Sequence, residues 1–402
     1  MAYARRLDYD AYLRSAKIYL GLSNKDYRTA AQMLDSAIYY YPDRPPIEAH
    51  YILGTIYSDK RLYSEMVEQF NYVIAMCDTA ENEKVQEVCE EEKYMKNIQD
   101  ILASNWIELY NDGVSTLKYA RSQDSTCQEM TDSVQKAGCM SNVTDSYQRA
   151  LEYFQNATLI LPDSAQAWVN IGLALFELGE VDSALNAYSR AIEFNPEDKN
   201  LLINIGSIYF NRGQYDSAAA YFDKLMVLDI PDQNRADILY NMALCLNQMD
   251  NVDSSVVLFE KVVELNPESE DALYNLGAFR IKSAANLSPE LNKYRDSVQT
   301  NKAKYQPMVD SLEAKLKELY SKAAENFEDV VKINPNNVDA LEWLGNAYFY
   351  MEEWDKSLEA FEKLIAIEPD HEEAACQLLL IYLKKNNKAK IDEYKEKCPR
   401  YQ

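Results

Sequence analysis

Residues 165–199 read AQAWVNIGLALFELGEVDSALNAYSRAIEFNPEDK. Trp168, Ile171, Gly172 and Leu175 recur at three-to-four spacing, and Ala184, Tyr188 and Ala191 repeat that spacing further on, so the stretch reads as two amphipathic helices in succession. Gly172 and Ala184 stand where the helices face each other, and only small side chains there let the backbones approach. Tyr188 and Ala191, three apart, share the inner face of the second helix. Pro196 cannot continue that helix and starts the next turn.

Outward from this stretch, both breaker residues keep one period. Prolines at 162, 196, 231 and 267 lie 34, 35 and 36 apart, and 335 and 369 follow at 68 and 34. Glycines at 172, 206, 277 and 345 share the step or its double, with Ala243 filling the gap. Two independent series with one period make this a repeat chain. The pattern recurs as Leu202, Gly206, Tyr209, Ala218, Phe222 and Pro231, then as Leu239, Ala243, Ser255, Phe259, Val262 and Pro267. It recurs again as Leu341, Gly345, Tyr348, Ser357, Phe361, Leu364 and Pro369. Leu53, Gly54, Tyr57, Phe70 and Val73 make a copy without the proline, and Ala30, Leu34, Ala37 and Pro42 half of a degenerate first one.

This order of large, aliphatic, small, then small, aromatic, small and proline resembles the tetratricopeptide repeat. The resemblance implies an all-α fold, a right-handed α-solenoid superhelix of helix–turn–helix repeats. About eight repeats cover nearly the whole chain.

Two repeats are split. Glycine and closing proline are 24 apart in the regular copies, but 49 apart from Gly113 to Pro162 and 58 from Gly277 to Pro335. The first insertion, Arg121 to Ser146, is rich in Ser, Thr, Gln, Asp and Asn and reads as a polar loop; ahead of it, Glu91 to Arg121 reads as a long helix. In the second, Ser288 and Pro289 look like an N-cap and first-turn proline, and Pro307 starts a helix reaching Lys332. Its excess equals one repeat, but the stripe Met308, Leu312, Leu316, Leu319, Ala323 and Phe327 has no breaker, which favours a protruding arm over an extra copy. The expected division is 1–105 (degenerate repeats with an acidic inter-repeat segment), 106–163 (a repeat split by the polar insertion at about 121–146) and 164–269 (three regular repeats). Then follow 270–336 (a repeat split by a helical arm at about 281–320) and 337–402 (the last repeat and capping helices).

Composition narrows the function. The chain has 402 residues, 65 acidic against 41 basic, and a net charge of −24, which disfavours nucleic acid and anionic membrane surfaces. Its 10 glycines never cluster, so no phosphate-cradling loop exists. Only His50 and His371 could serve an imidazole site. No apolar run is long enough to span a bilayer, and Arg5, Arg6, Asp8 and Asp10 begin the chain without a hydrophobic stretch. No nucleophile–base pair or metal spacing appears, so neither enzyme nor cofactor is expected.

The resemblance implies that first helices line a concave groove through their second, fifth, ninth, twelfth and thirteenth positions. Val169, Leu173, Phe176, Ile203, Phe210, Tyr240, Leu244, Tyr274, Phe349 and Tyr350 fall there, an apolar, aromatic lining suited to an extended segment or an amphipathic helix. Asparagines at the sixth position, Asn111, Asn170, Asn204, Asn241 and Asn275, could hold a peptide backbone, since an amide both donates and accepts; asparagine is also simply common at this position of the family, and packing between repeats is the other reading of the apolar set. Val169, Leu173 and Asp237 stand where a basic clamp for a terminal carboxylate would be, which excludes that family function. The expected function is a non-catalytic scaffold that binds a protein or peptide partner. The alternative is a self-assembling subunit stacked head to tail, whose basic end, Lys384 to Lys390, meets the acidic stretch Glu81 to Glu92 of a neighbour.

Seven cysteines remain. Cys77 and Cys89, and Cys127 and Cys139, are each twelve apart, and Cys376 and Cys398 fall on the last two helices. Three plausible pairs and a buried lone thiol, Cys245, suit an oxidising compartment, periplasmic or extracellular, with a cytoplasmic location as the alternative.

Overall fold

A computed structural model describes residues 7–41, 44, 46–80, 83–91, 94–229 and 231–398; Arg5, Arg6, Pro42, Glu81 and Glu92 lie outside them. The described residues form nineteen α-helices and no strand. Contacts divide the chain into two units, Met1–Asp198 and Lys199–Gln402. That division falls inside the block 164–269 expected to hold three regular repeats.

The first unit pairs α1 (Tyr9–Leu20) with α2 (Tyr27–Tyr40) and α3 (Ile47–Asp59) with α4 (Tyr63–Asp78). A short α5 (Glu83–Glu91) leads to the pair α6 (Tyr94–Gln128) and α7 (Ser133–Ile160), then to α8 (Ala165–Glu177) with α9 (Val181–Phe194). In the second unit α10 (Lys199–Asn211) packs on α11 (Tyr215–Met226), and α12 (Asp232–Gln248) on α13 (Val252–Leu265). There follow α14 (Glu270–Val298) with α15 (Lys302–Ile333), α16 (Val338–Tyr350) with α17 (Trp354–Ile367), and α18 (Glu372–Lys384) with α19 (Lys388–Lys397). Turns of a few residues send each helix back along the last, which gives an all-α solenoid of helix pairs.

One contact explains the period. A Cβ built on Gly113, Gly206 or Gly345 would lie 2.7 Å from the ring of Phe154, Phe222 or Phe361 in the paired helix, and one on Gly277 2.8 Å from Phe327. Gly54 with Phe70 and Gly172 with Tyr188 make the same lock. These rings are at most 1% exposed, so glycine is needed for the close approach and the ring then fills the space between two helices. Where Ala243 replaces glycine, the helices are also joined by the Ser255 hydroxyl, which donates to the Ala243 carbonyl at 2.7 Å. Ser357 does the same to Gly345 at 2.8 Å.

Helix ends follow the same register. Two residues after the closing prolines, Ser164, Ser269, Asn337 and His371 each accept a backbone N–H from three residues on, which caps the next first helix. Between paired helices the chain turns through a left-handed residue: Gly179 and Gly213 in two repeats, but Asp250 (φ 58°) and Glu352 (φ 60°) in others.

Three expectations are corrected. Arg121–Ser146 is not a loop: α6 runs to Gln128 and α7 starts at Ser133, so the insertion lengthens both helices of its repeat. It contains no proline, Cys127, Val143 and Ser146 are buried along it, and Asp132 caps α7. Ser288 does not cap a helix, since α14 passes through Pro289. Pro307 does not start one, since α15 begins at Lys302. Both proline rings are exposed, and the Ser288 hydroxyl turns back to the Ala284 carbonyl at 3.4 Å, so each helix carries its proline on the solvent side. The second insertion is therefore an arm of two paired helices closed by a turn at 299–301.

Candidate functional site

None of the groove candidates is buried. Val169, Asn170, Leu173, Ile203, Phe210, Tyr240, Asn241, Leu244, Tyr274, Asn275 and Phe349 are half-buried, and Asn111, Asn204, Phe176 (40% exposed) and Tyr350 (62%) are open to solvent. The remaining positions of the same helices, such as Ile171, Leu175, Ile205 and Leu344, are buried. First helices therefore keep a partly open aromatic and aliphatic face beside the positions that pack the core.

Part of this face builds the stack. The Asn170 amide donates to the Tyr110 hydroxyl (3.2 Å) and the Gln166 carbonyl (2.9 Å), and the Asn275 amide donates to the Tyr240 hydroxyl (2.8 Å). Both of these sixth-position asparagines thus grip a fifth-position tyrosine of the preceding first helix. In the repeat after Asn275, Trp343 takes the asparagine's place. Tyr240 and Tyr274 also meet Phe259 and Phe327 edge-on, at 5.2 and 5.8 Å between centroids. Burial holds both phenols above their usual range. Asn170 and Asn275 have their donors engaged within the fold; no side-chain hydrogen bond is seen for Asn111, Asn204 or Asn241 among the described residues. The signal for these links lies in the sequence as a fifth-position tyrosine, Tyr110 or Tyr240, followed in the next first helix by a sixth-position asparagine, Asn170 or Asn275.

A second repeat-to-repeat link also escaped sequence reasoning. The Tyr348 hydroxyl donates to Glu328, and Tyr382 to Glu362 at 2.7 Å, both across a separation of 20 residues. Burial and then the carboxylate push both phenols upward. In the first unit, Leu102, Ala103, Trp106, Ile107, Ile160 and Leu161 line an open apolar depression of about 390 Å³ that the sequence did not single out.

The histidines serve the fold. His50 Nδ1–H donates to Gln69 Oε1 at 2.6 Å and its ring stacks on Tyr72 at 3.9 Å, with burial lowering its pKa. His371 caps α18. No group of three His, Cys, Asp or Glu is placed to hold a metal among the described residues. The cysteines are joined as Cys77–Cys89, Cys127–Cys139 and Cys376–Cys398, with Cα separations of 5.9, 5.7 and 4.9 Å. Cys245 is a buried thiol whose pKa burial raises to about 11, which keeps it unreactive.

Models of the tetratricopeptide repeat match residues 10–44, 165–198, 200–229, 236–269 and 338–371. No curated protein matches. Among solved structures, YrrB, described as a TPR protein with an unusual peptide-binding site, is similar at 22% identity and a TM-score of 0.41, over 56% of this chain and 96% of its own. PilF of Pseudomonas aeruginosa is similar at 14% identity and a TM-score of 0.40, over 70% and 99%. The C-terminal part of a TPR repeat-containing protein from Cytophaga hutchinsonii is similar at 15% and 0.41, over 82% and 99%. At these values the likenesses do not bear on what the chain binds. Each repeat match covers one helix pair, and three of the five carry the glycine–aromatic lock: the chain is a tetratricopeptide-repeat protein.

Proposed function

We propose that this protein is a non-catalytic interaction scaffold that holds an extended segment of a partner protein along its first-helix faces. The observation that carries this reading is the contrast within single helices. Alternate positions pack the core completely, while Val169, Leu173 and Phe176 in one unit, and Ile203, Phe210 and Tyr350 in the other, keep apolar surface in water. Apolar side chains held half-open on a rigid stack favour a partner that covers them, and the open amides of Asn111 and Asn204 can pair with its backbone.

A photo-crosslinking residue placed at Phe176, Phe210 or Tyr350 in the native source is expected to capture a common partner. The same probe at Val257, 51% exposed on second helix α13, is expected to capture none. Equal capture at all four positions sinks the reading.

Stacking of chain ends finds less support. At the C-terminal end α19 is closed onto α18 by Cys376–Cys398 and by Tyr394, which leaves exposed Lys384 and Lys388 rather than an open apolar face. The three disulfides also favour export to the periplasm or outside the cell. Seven free thiols on titration of the denatured native protein would refute that.

A further inference from the structure

We propose that the tip of the second arm docks on the acidic edge of a second copy of this chain. This goes beyond the groove reading and can fail without it.

Because successive helices of the second unit reverse direction, turns within repeats lie along one edge and turns between repeats along the other. The arm leaves the first edge. At 29 residues α14 overhangs the 13 of α10 by 16, or roughly 24 Å. Its root is fixed: Arg280 donates to the Lys322 carbonyl (3.2 Å), to Glu260 (2.6 Å) and to Asn326, and Ser283 to Asp253 (3.1 Å). The overhang exceeds two screening lengths at physiological salt, about 8 Å each, so the tip has a field of its own.

That field is positive in a chain of net charge −24. Residues 291–306 carry Lys293, Arg295, Lys302 and Lys304, all exposed, against Asp296 alone. Arg295 is held by Glu313 at 2.8 Å, and Lys304 leans over the Tyr305 ring; Lys293 and Lys302 have no ion-pair partner among the described residues. The opposite edge is negative. Asp229, Asp232, Glu268, Asp271, Asp370 and Glu372 are exposed on the turns between repeats, and residues 264–271 and 366–373 contain no Lys or Arg. An arm that points away from this edge cannot reach it on its own unit. The complement is available on another molecule, and tip-to-edge contact is heterologous, so it adds copies into a ring where the rotation closes and into a filament where it does not.

The test is sedimentation velocity of the full chain over a range of concentrations and salt. The wild type is expected to gain mass with concentration at low salt and lose it at high salt. Lys293→Glu/Lys302→Glu/Lys304→Glu, whose new carboxylates at 302 and 304 suit the first turn of α15, is expected to weaken association by roughly tenfold or more with helicity unchanged by circular dichroism. Asp232→Lys/Glu268→Lys/Asp271→Lys is expected to do the same, and mixing the two variants to restore association, since each supplies the charge the other lost. A wild type that stays monomeric at low salt overturns the proposal. So does an arm variant that associates like the wild type, or a mixture that stays monomeric.

Discussion

The two lengthened repeats solve one problem by different chemistry. Each sends a helix hairpin past the edge of its repeat, where no neighbouring repeat can cover it. In the first arm, Cys127 is the one buried residue between Arg121 and Asn142, and its bond to Cys139 closes the tip. The second arm has no cysteine. It buries Leu291 and Val309, each 4% exposed, stacks Tyr294 on Tyr305 at 6.1 Å between centroids, and pairs Arg295 with Glu313. A hairpin too polar to zip itself is cross-linked; one with an apolar stripe is not. Their roots are alike, Gly113 under Phe154 and Gly277 under Phe327.

The comparison can be broken at the roots first. Phe154→Ala and Phe327→Ala, both fully buried, are each expected to cost about 3–5 kcal/mol by denaturant unfolding. A large inequality would mean that the shared lock does not hold both arms. At the tips the effects should separate. Leu291→Ala is expected to cost roughly 2–5 kcal/mol and to speed amide exchange over 284–316, leaving 121–146 unchanged. Cys127→Ser/Cys139→Ser, or reduction, is expected to remove about 3 kcal/mol of local stability. Exchange should then quicken over 121–146 while the second arm keeps its protection; an arm that stays protected without the bond would show that its helices need no cross-link.

The neck of the first arm should also respond to alkali. Tyr147, 3% exposed and with its hydroxyl unpartnered among the described residues, has its pKa raised to about 12, by burial and then by Glu177 and Asp124, with Arg121 opposing. A phenol that holds its proton more tightly when folded stabilises fully below its unfolded value near 10, and this contribution is lost as pH rises toward 12. The expected loss over that window is roughly 2–3 kcal/mol. Tyr147→Phe should flatten the dependence without lowering stability at neutral pH. An unchanged pH profile in that variant would place the titrating group elsewhere.

Much of this was legible in the chain. Glycine and aromatic series with one period report a contact made inside six of the helix pairs. The insertions could be read from the excess between glycine and proline, which is independent of what the excess forms. Its form was harder to read. Serine, threonine and asparagine suit loops in isolation, yet in 121–146 a capped start, the buried Val143 and Ser146 and a cross-link hold them in helix. Pro289 and Pro307 break a helix only if the ring meets packed backbone, and here both face water. The asparagines were found, but the bonds that Asn170 and Asn275 make to tyrosines were not, since an amide suited to a peptide backbone is equally suited to a tyrosine hydroxyl one repeat away.

By itself, then, the sequence determined the repeat, its period and its breaks, because each of these is a local pattern of side-chain size and backbone freedom. Tertiary structure decided which of the groove residues are engaged between repeats and which stay open, how two hairpins without neighbours hold together, and where charge of each sign is displayed. Those outcomes depend on which helix edge meets which, and residues twenty to sixty positions apart settle them together.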